Sequence, residues 1–449
     1  MARSKCTDGS CVTFQTLAVV LMLAVITPAL TLCAEADRTL YPRSLAELKA
    51  MLKLLAPRKG SEGSQQEEYL QRLKQYRYVC GVPFENLRWD DGYADLAQHA
   101  SLICAKLNKL THTPEQPSGM SNAEYEICKK GTGQSNLFMG VTRARACVDG
   151  WMDDSDPSNI DRVGHRRWCV NPGMLKSAFA TSGNYAAMYA FDNSNPKVPD
   201  WDFVAYPTRG YMPLDLFAGH RAWSVSPNME KYATPSQDAV KVAIHAADAK
   251  LAPTGSPLKL DYFHVETGGF GSGPAIIFRP EGFNSAIEGV YIVEISGLKT
   301  KKGQDSTIQY LVNFINLQKV PDGPEGTVVY TNFFNQRLAS VQALTDKFEQ
   351  VGSLLEISEN EFLPLADRAI ATAVKNKLTE LLKDPVLRHE MEASERYMTL
   401  SKLEQKAGKI KNQRTQAAVA YREFSLAYKD TRAGKKAADD FERLKQELQ

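Results

Sequence analysis

The chain has 449 residues, enough for two or three domains, and an apolar content of 43%, enough for a buried core. Its 54 Lys and Arg against 52 Asp and Glu leave a net charge of +2. That balance lacks the basic surplus of a nucleic-acid-binding protein, and local basic segments are mixed with acids in the manner of solvated helix faces.

The N-terminus reads as a targeting segment. Arg3 and Lys5 precede an apolar run from about Leu17 to Leu32, and Ala34-Glu35-Ala36 sets small residues at −3 and −1 of a cleavage site after Ala36. Pro28 interrupts the run, so residues 1–36 are read as a cleaved signal peptide rather than an uncleaved anchor, leaving no transmembrane segment in the mature chain. Leu30-Thr31-Leu32-Cys33 is a poor lipoprotein signal because Leu32 is bulky where a small residue is needed. Cleavage leaves Cys80, Cys104, Cys128, Cys147 and Cys169, an odd set with no C-x-x-C zinc pattern. Export permits disulfides, and Cys147 with Cys169 is the first candidate bridge.

Residues 37–66 form a polar N-terminal segment with a short helix near Leu45 to Leu55. From Glu67 to Leu110 the pattern is helical: Tyr93, Leu96, Ala100, Ile103, Leu107 and Leu110 recur at three- and four-residue steps, with Asp90 or Asp91 as cap. Thr111 to Gly133 reads as loop, Thr142 to Met152 as helix, Asp153 to Pro157 as an acidic turn, and Ser177 to Asp192 and Phe203 to Tyr206 as strands. This mixture predicts a layered α/β or α+β domain over 67–228.

Pro227 to Ser236 reads as a linker. Short β-type runs at Val240, Gly289 and Gln309 then predict a small β-sandwich over 238–320, with the glycine-rich Gly268 to Gly273 as a loop between strands. From Ala339 to the end the chain is helical. Asp384-Pro385 makes a cap and first turn, and Leu400, Leu403, Ala407, Ile410, Ala417, Tyr421, Phe424 and Tyr428 keep a three-four spacing. A helical hairpin or coiled coil over 339–449 is expected, packed on its own chain or used for self-association.

The most informative motif is Val163-Gly164-His165-Arg166-Arg167-Trp168, a histidine fixed after an acidic turn, with His112 upstream at the end of a helical pattern. Tyr76-Arg77 with Gly81-Val82-Pro83, the Trp89 to His112 segment, Gln134-Ser135-Asn136-Leu137, Val148 to Asp153, Gly164 to Trp168 and Asn171-Pro172 occur in an order that resembles the CAP superfamily. That superfamily comprises cysteine-rich secretory proteins, antigens and pathogenesis-related proteins. Ala205-Tyr206-Pro207, Gly210-Tyr211, Pro213 and Trp223 to Ser226 are similar to an extension in its bacterial members. The resemblance covers about 67–228. It implies an α-β-α sandwich with a cleft lined by His112 and His165, and an α+β fold for the chain as a whole.

Such a cleft carries two histidines and two acids. Carried over, Asp154 matches one acidic position, while Ser135, beside Asn136, replaces the other. Two neutral imidazoles can hold zinc weakly, with Asp154 as third ligand or as orienting group, so His112 and His165 are the candidate metal ligands. Read without metal, they are hydrogen-bonded wall residues of a polar groove. Ser135 lacks a glycine-serine elbow and an oxyanion hole, which argues against a serine hydrolase. Arg166 and Arg167 are read as an anion site or, alternatively, as one acid-paired and one exposed arginine. Trp168 is read as core, and His99, His220, His245, His264 and His389 have no site spacing.

The expectation is a secreted, extracellular or periplasmic, non-enzymatic binding module. Its cleft residues are His112, Ser135, Asn136, Asp154 and His165, and its ligand is a small molecule, lipid, glycan or peptide. The alternative is a zinc-assisted, peptidase-like hydrolase using the same cleft, disfavoured by the lost carboxylate and the absence of an H-E-x-x-H helix.

Overall fold

In the computed structural model, which describes residues 40–57, 64–283, 287–407 and 410–448, the helix that follows Ser44 starts at a capping box. Ser44 Oγ accepts from Glu47 N, and the Glu47 carboxylate accepts from Ser44 N, opening α1 (Leu45–Leu54). The expected leader, with Cys6, Cys11 and Cys33, lies outside the described residues. The chain divides into two units, one ending at Asp322 and one starting at Gly323.

In the first unit, α2 (Gln65–Val79), β1 (Arg88–Trp89), α3 (Asp91–Leu107), α4 (Asn122–Gly133), β2 (Ser135–Met139), α5 (Ala144–Asp153), α6 (Gly164–Cys169), β3 (Lys176–Ser177), β4 (Phe179–Ser182) and β5 (Tyr185–Tyr189) follow in order. Strands β2, β5 and β4 form an antiparallel sheet with β5 in the centre. The two-residue period of β5 explains the layering. Tyr185 and Ala187 join Leu137 against Ala97, Ala100 and Cys104 of α3. Ala186 and Met188 join Phe179 on the other face, in a core with Tyr69 and Leu73 of α2 and Val148 and Trp151 of α5. Helices thus cover both faces of the sheet.

Two local expectations change. The helical stretch from Glu67 to Leu110 is two helices, because Gly81 turns the chain at φ +72 and Pro83 follows. The second half of the expected loop is α4, capped by Ser121 Oγ accepting from Glu124 N at 3.2 Å. Its glycines lower helix propensity and hide it from periodicity, but Gly131 is needed. A Cβ there would lie 2.3 Å from Leu96 O of α3.

The next nine strands are β6 (Phe203–Tyr206), β7 (Gly210–Pro213), β8 (Trp223–Pro227), β9 (Lys241–Ala247), β10 (Pro253–Thr254), β11 (Leu260–Glu266), β12 (Ala275–Pro280), β13 (Gly289–Lys299) and β14 (Asp305–Ile315). They form two sheets, in the orders β10-β9-β13-β14-β7 and β11-β12-β8-β6. Trp223 of β8 lies 5.6 Å from Phe314 and 6.3 Å from Tyr291, and Phe203 of β6 lies 5.4 Å from Tyr310, so the sheets pack face to face. The expected sandwich over 238–320 is therefore incomplete. Of the strands assigned to the 67–228 domain, β8 pairs with β12, β7 with β14 and β6 with β8, and a boundary between 228 and 238 would cut through both sheets. One buried core runs through the helix-covered sheet and the sandwich.

Among the described residues the second unit holds six α-helices rather than a hairpin from 339: α7 (Pro324–Gln342), α8 (Lys347–Ser358), α9 (Arg368–Leu381), α10 (Pro385–Ala407), α11 (Lys411–Ala427) and α12 (Arg432–Leu448). Asp384 Oδ1 accepts from Val386 N at 3.0 Å at the start of α10. Ala393, Tyr397, Ala418, Tyr421, Phe424, Ala437 and Leu444 form a core shared by α10, α11 and α12. The three-four stripe is thus largely covered by its own chain, while Leu403 and Ile410 are exposed.

The cysteine expectation is also corrected. Cys80, Cys104, Cys128, Cys147 and Cys169 are buried free thiols. Cys147 Sγ lies 3.8 Å from Val141 O, whereas Cys169 Sγ lies 3.7 Å from Asn136 Nδ2 and 3.8 Å from Met188 Sδ, so the proposed pair have separate surroundings. Burial pushes the Cys80 and Cys147 thiols up to about 12, which keeps both protonated and unreactive at neutral pH.

Candidate functional site

His112 follows α3, which ends at Asn108 in the left-handed region at φ +48. The ring is tied to the last turn of α4: its Nδ1 lies 2.8 Å from Thr132 O, and Thr132 Oγ1 donates to His112 O at 3.2 Å. Since a carbonyl only accepts, Nδ1 carries the proton and Nε2 is left with a lone pair.

His165 is the second residue of α6. The chain reaches it through two left-handed residues, Asp154 at φ +49 and Val163 at φ +41. Val163 is β-branched and fully buried among Ile160, Ala222 and Ile277, so packing holds a conformation that costs about 1–3 kcal/mol. Asp154 Oδ1 accepts from His165 Nδ1 at 2.8 Å, and Oδ2 accepts from His165 N at 2.9 Å and Arg166 N at 3.4 Å. This fixes the tautomer of the second imidazole in the same sense as the first, with Nε2 as acceptor. The two ring centroids are 6.3 Å apart and the planes differ by 26°.

The imidazoles line a cavity of about 480 Å³ together with Ser135, Asn136, Trp168, Phe191 and Phe270. Ser135 is 3% exposed, and its Oγ has no hydrogen-bond partner among the described residues. Asn136 is buried and donates to His165 O at 3.0 Å, so it fixes the backbone beneath the histidine. Of the five cleft residues expected from sequence, four line the cavity. Asp154 does not; it lies buried behind His165 with its side chain 1% exposed. Loss of hydration, reinforced by His165 and Arg162, holds the His112 imidazolium below its ordinary pKa despite the supporting bond to Thr132 O.

The arginines hold the walls. Arg166 is buried and donates to Met152 O and Ala222 O, both at 2.8 Å, and to Ser224 Oγ at 3.0 Å. Arg167 is buried too. It donates to Gly268 O, Gly273 O and Arg162 O, and stands 5.0 Å from the centroid of Phe270. Burial among these carbonyls lowers its guanidinium to about 10. Neither is an exposed anion site, because both are spent on backbone oxygens. Gly271 at φ +43 permits this closure, since a Cβ there would lie 2.2 Å from Arg167 O.

Sequence reasoning missed the aromatic wall. Trp168 is half-buried rather than core and stacks on Phe191 at 4.2 Å and 23°, with Phe191 43% exposed. Phe270 comes from the glycine-rich loop between β11 and β12, which read only as a connection. The run of glycines was the available signal. His99 bonds Asp95 O, and His220 bonds Asp153; neither lines the cavity.

The residues present do not fit a tight zinc site. Two Nε2 lone pairs are available, but both Asp154 oxygens are engaged and the neighbouring Ser135 is not a carboxylate. Among the described residues no group of three His, Cys, Asp or Glu is placed to hold a metal, whereas a catalytic zinc takes three protein ligands.

Residues 70–192 match the family model described as the cysteine-rich secretory protein family, CAP. The match ends before β6, so it covers the helix-flanked sheet and not the sandwich. No curated protein and no solved structure gives a significant match.

Proposed function

We propose, on the premise that residues 70–192 form a CAP domain, that the chain is a non-enzymatic binding module whose ligand enters the His112–His165 cavity. One observation carries the reading. Ser135 Oγ is buried without a partner beside two imidazoles whose tautomers are fixed with Nε2 unprotonated. An unpaired buried hydroxyl is costly, and a ligand recovers that cost when the Ser135 side chain turns its covered Oγ into the cavity. Asp154 supports the pocket from behind, His112 and His165 face the ligand, and Ser135 and Asn136 line the wall between them. The module is exported through residues 1–36. CAP family members are often extracellular, and among the described residues no helix is long and apolar enough to cross a membrane.

The zinc-assisted hydrolase remains the weaker reading, because its base or third ligand would be Asp154, whose oxygens already accept three N–H groups. The test combines fragment binding with zinc titration. The imidazole resonances of His112 and His165 should shift together with bound fragments, and zinc uptake should be equal in wild type, His112→Ala and His165→Ala. Zinc-dependent peptide hydrolysis lost in both variants would replace the binding reading with the hydrolase.

A further inference from the structure

The chemical balance of the cavity narrows its ligand. Each imidazole donates its Nδ1–H to a protein oxygen, so the two neutral rings offer Nε2 acceptors. Ser135 adds a hydroxyl that can donate or accept. No carboxylate lines the cavity, and Arg162 is the one charged side chain on its wall among the described residues. An ammonium ligand would meet Arg162 and find no counter-ion. A carboxylate ligand would meet Arg162 but turn its remaining lone pairs toward those of two imidazoles. A plain acyl chain would leave all three polar groups unmatched.

A ligand that suits this surface brings several O–H donors on one side and a C–H face on the other. The aromatic wall suits that second face. Trp168 and Phe191 are stacked face to face, so the pair offers an outer ring face and its edges, and Phe270 adds another ring from the Gly268 to Gly273 loop. The volume of about 480 Å³ is that of a small-ligand pocket.

We infer that the cavity binds a neutral saccharide, its hydroxyls donating to His112 and His165 and pairing with Ser135 Oγ turned toward them, and its C–H face resting against the Trp168–Phe191 stack and Phe270. This rests on the binding reading above. It adds a role that no local motif announces: the loop carrying Phe270, clamped by Arg167, contributes to sugar selection from outside the family-matched residues.

The test is saturation-transfer NMR on the full chain. The probes are cellobiose, maltose and chitobiose, with decanoate and trialanine alongside. At least one disaccharide should receive saturation mainly at ring C–H protons, and its affinity should fall at least fivefold in Ser135→Ala and in Phe270→Ala. Phe191→Ala, at an exposed ring, gives the same reading if the loop variant fails to fold. Disaccharide binding unchanged in all three variants would place the sugar elsewhere and overturn the inference. Binding of decanoate or trialanine that depends on Ser135 and Phe191, with no sugar bound, would overturn the saccharide while leaving the binding module intact. Binding of no probe, with the His112 and His165 resonances also unmoved by the fragments, would overturn both.

Discussion

Asp154 shows how one buried side chain sets the chemistry of a site it does not line. At φ +49 it sits where short polar residues are tolerated, and its carboxylate accepts from His165 Nδ1, His165 N and Arg166 N. Asp154→Asn keeps the shape but turns one acceptor into a donor. Loss of a buried charge-assisted hydrogen bond costs about 1.5–3 kcal/mol, and urea unfolding should show a drop of that size. The ¹⁵N spectrum of His165 should then lose its single Nδ1–H tautomer. Asp192 makes a second, pH-dependent case. Its own burial favours the neutral form, but N–H groups of Leu175 and Lys176 and the hydroxyls of Ser194 and Tyr93 outweigh that and hold it below the ordinary carboxyl value. A folded-state pKa depressed in this way contributes stability above the unfolded value, about 3.9, that is lost as pH falls through the folded value. Asp192→Asn should lose about 1–3 kcal/mol at pH 7 and show a shallower acid decline than wild type in urea melts stepped from pH 7 to pH 3. His112, Ser135, Asn136 and His165 were legible in the sequence because short ordered motifs carry them. The position of Asp154 behind the ring was not, because it depends on two left-handed residues that no pattern announces.

At the scale of elements, legibility followed the strength of the periodic signal. The buried face of α3 could be read from spacing only in part, since Ala100 and Ile103 are buried while Leu110 is exposed beyond the helix; of the two candidate caps, Asp90 Oδ1 accepts from Tyr93 N at 3.0 Å. Helix α4 could not, because its glycines, which let it approach α3, resemble a loop. The same ambiguity hid the wall loop: Gly268 to Gly273 looks like any turn until Arg167 is seen gripping its carbonyls. Two alanine substitutions separate a glycine required by geometry from one that is not. Gly271→Ala brings a Cβ within 2.2 Å of Arg167 O at φ +43, whereas Gly269→Ala meets nothing within 4 Å. The left-handed backbone alone costs about 1–2 kcal/mol. Gly271→Ala should therefore lower the melting temperature and raise amide exchange across the loop, while Gly269→Ala leaves both near wild type.

For the whole molecule, the consequence lies in where the chain can be cut. Hydrophobic alternation located the strands on either side of residue 228 but not their partners, since pairing over long sequence separations leaves no mark on a local pattern. The structure pairs β8 with β12 and β7 with β14, and it buries Met212, Phe217 and Trp223 to 2% exposure or less. A chain ended at Asn228 keeps β6, β7 and β8 but loses the strands that cover them. It exposes an aromatic face and unpaired strand edges, the ingredients of aggregation. A chain ended at Asp322 keeps both sheets and the ion pairs of Asp322 with Lys49 and Lys53. The helices from Gly323 onward have a core of their own in Tyr397, Tyr421, Phe424 and Leu444. Expressed separately, 40–322 and 323–449 should each melt in one cooperative transition, and 40–228 should be insoluble or lack near-ultraviolet circular dichroism. A soluble, cooperatively folding 40–228 would mean that the helix-flanked sheet stands without the sandwich. The Phe270 loop would then be an attachment to the cavity rather than part of its supporting core.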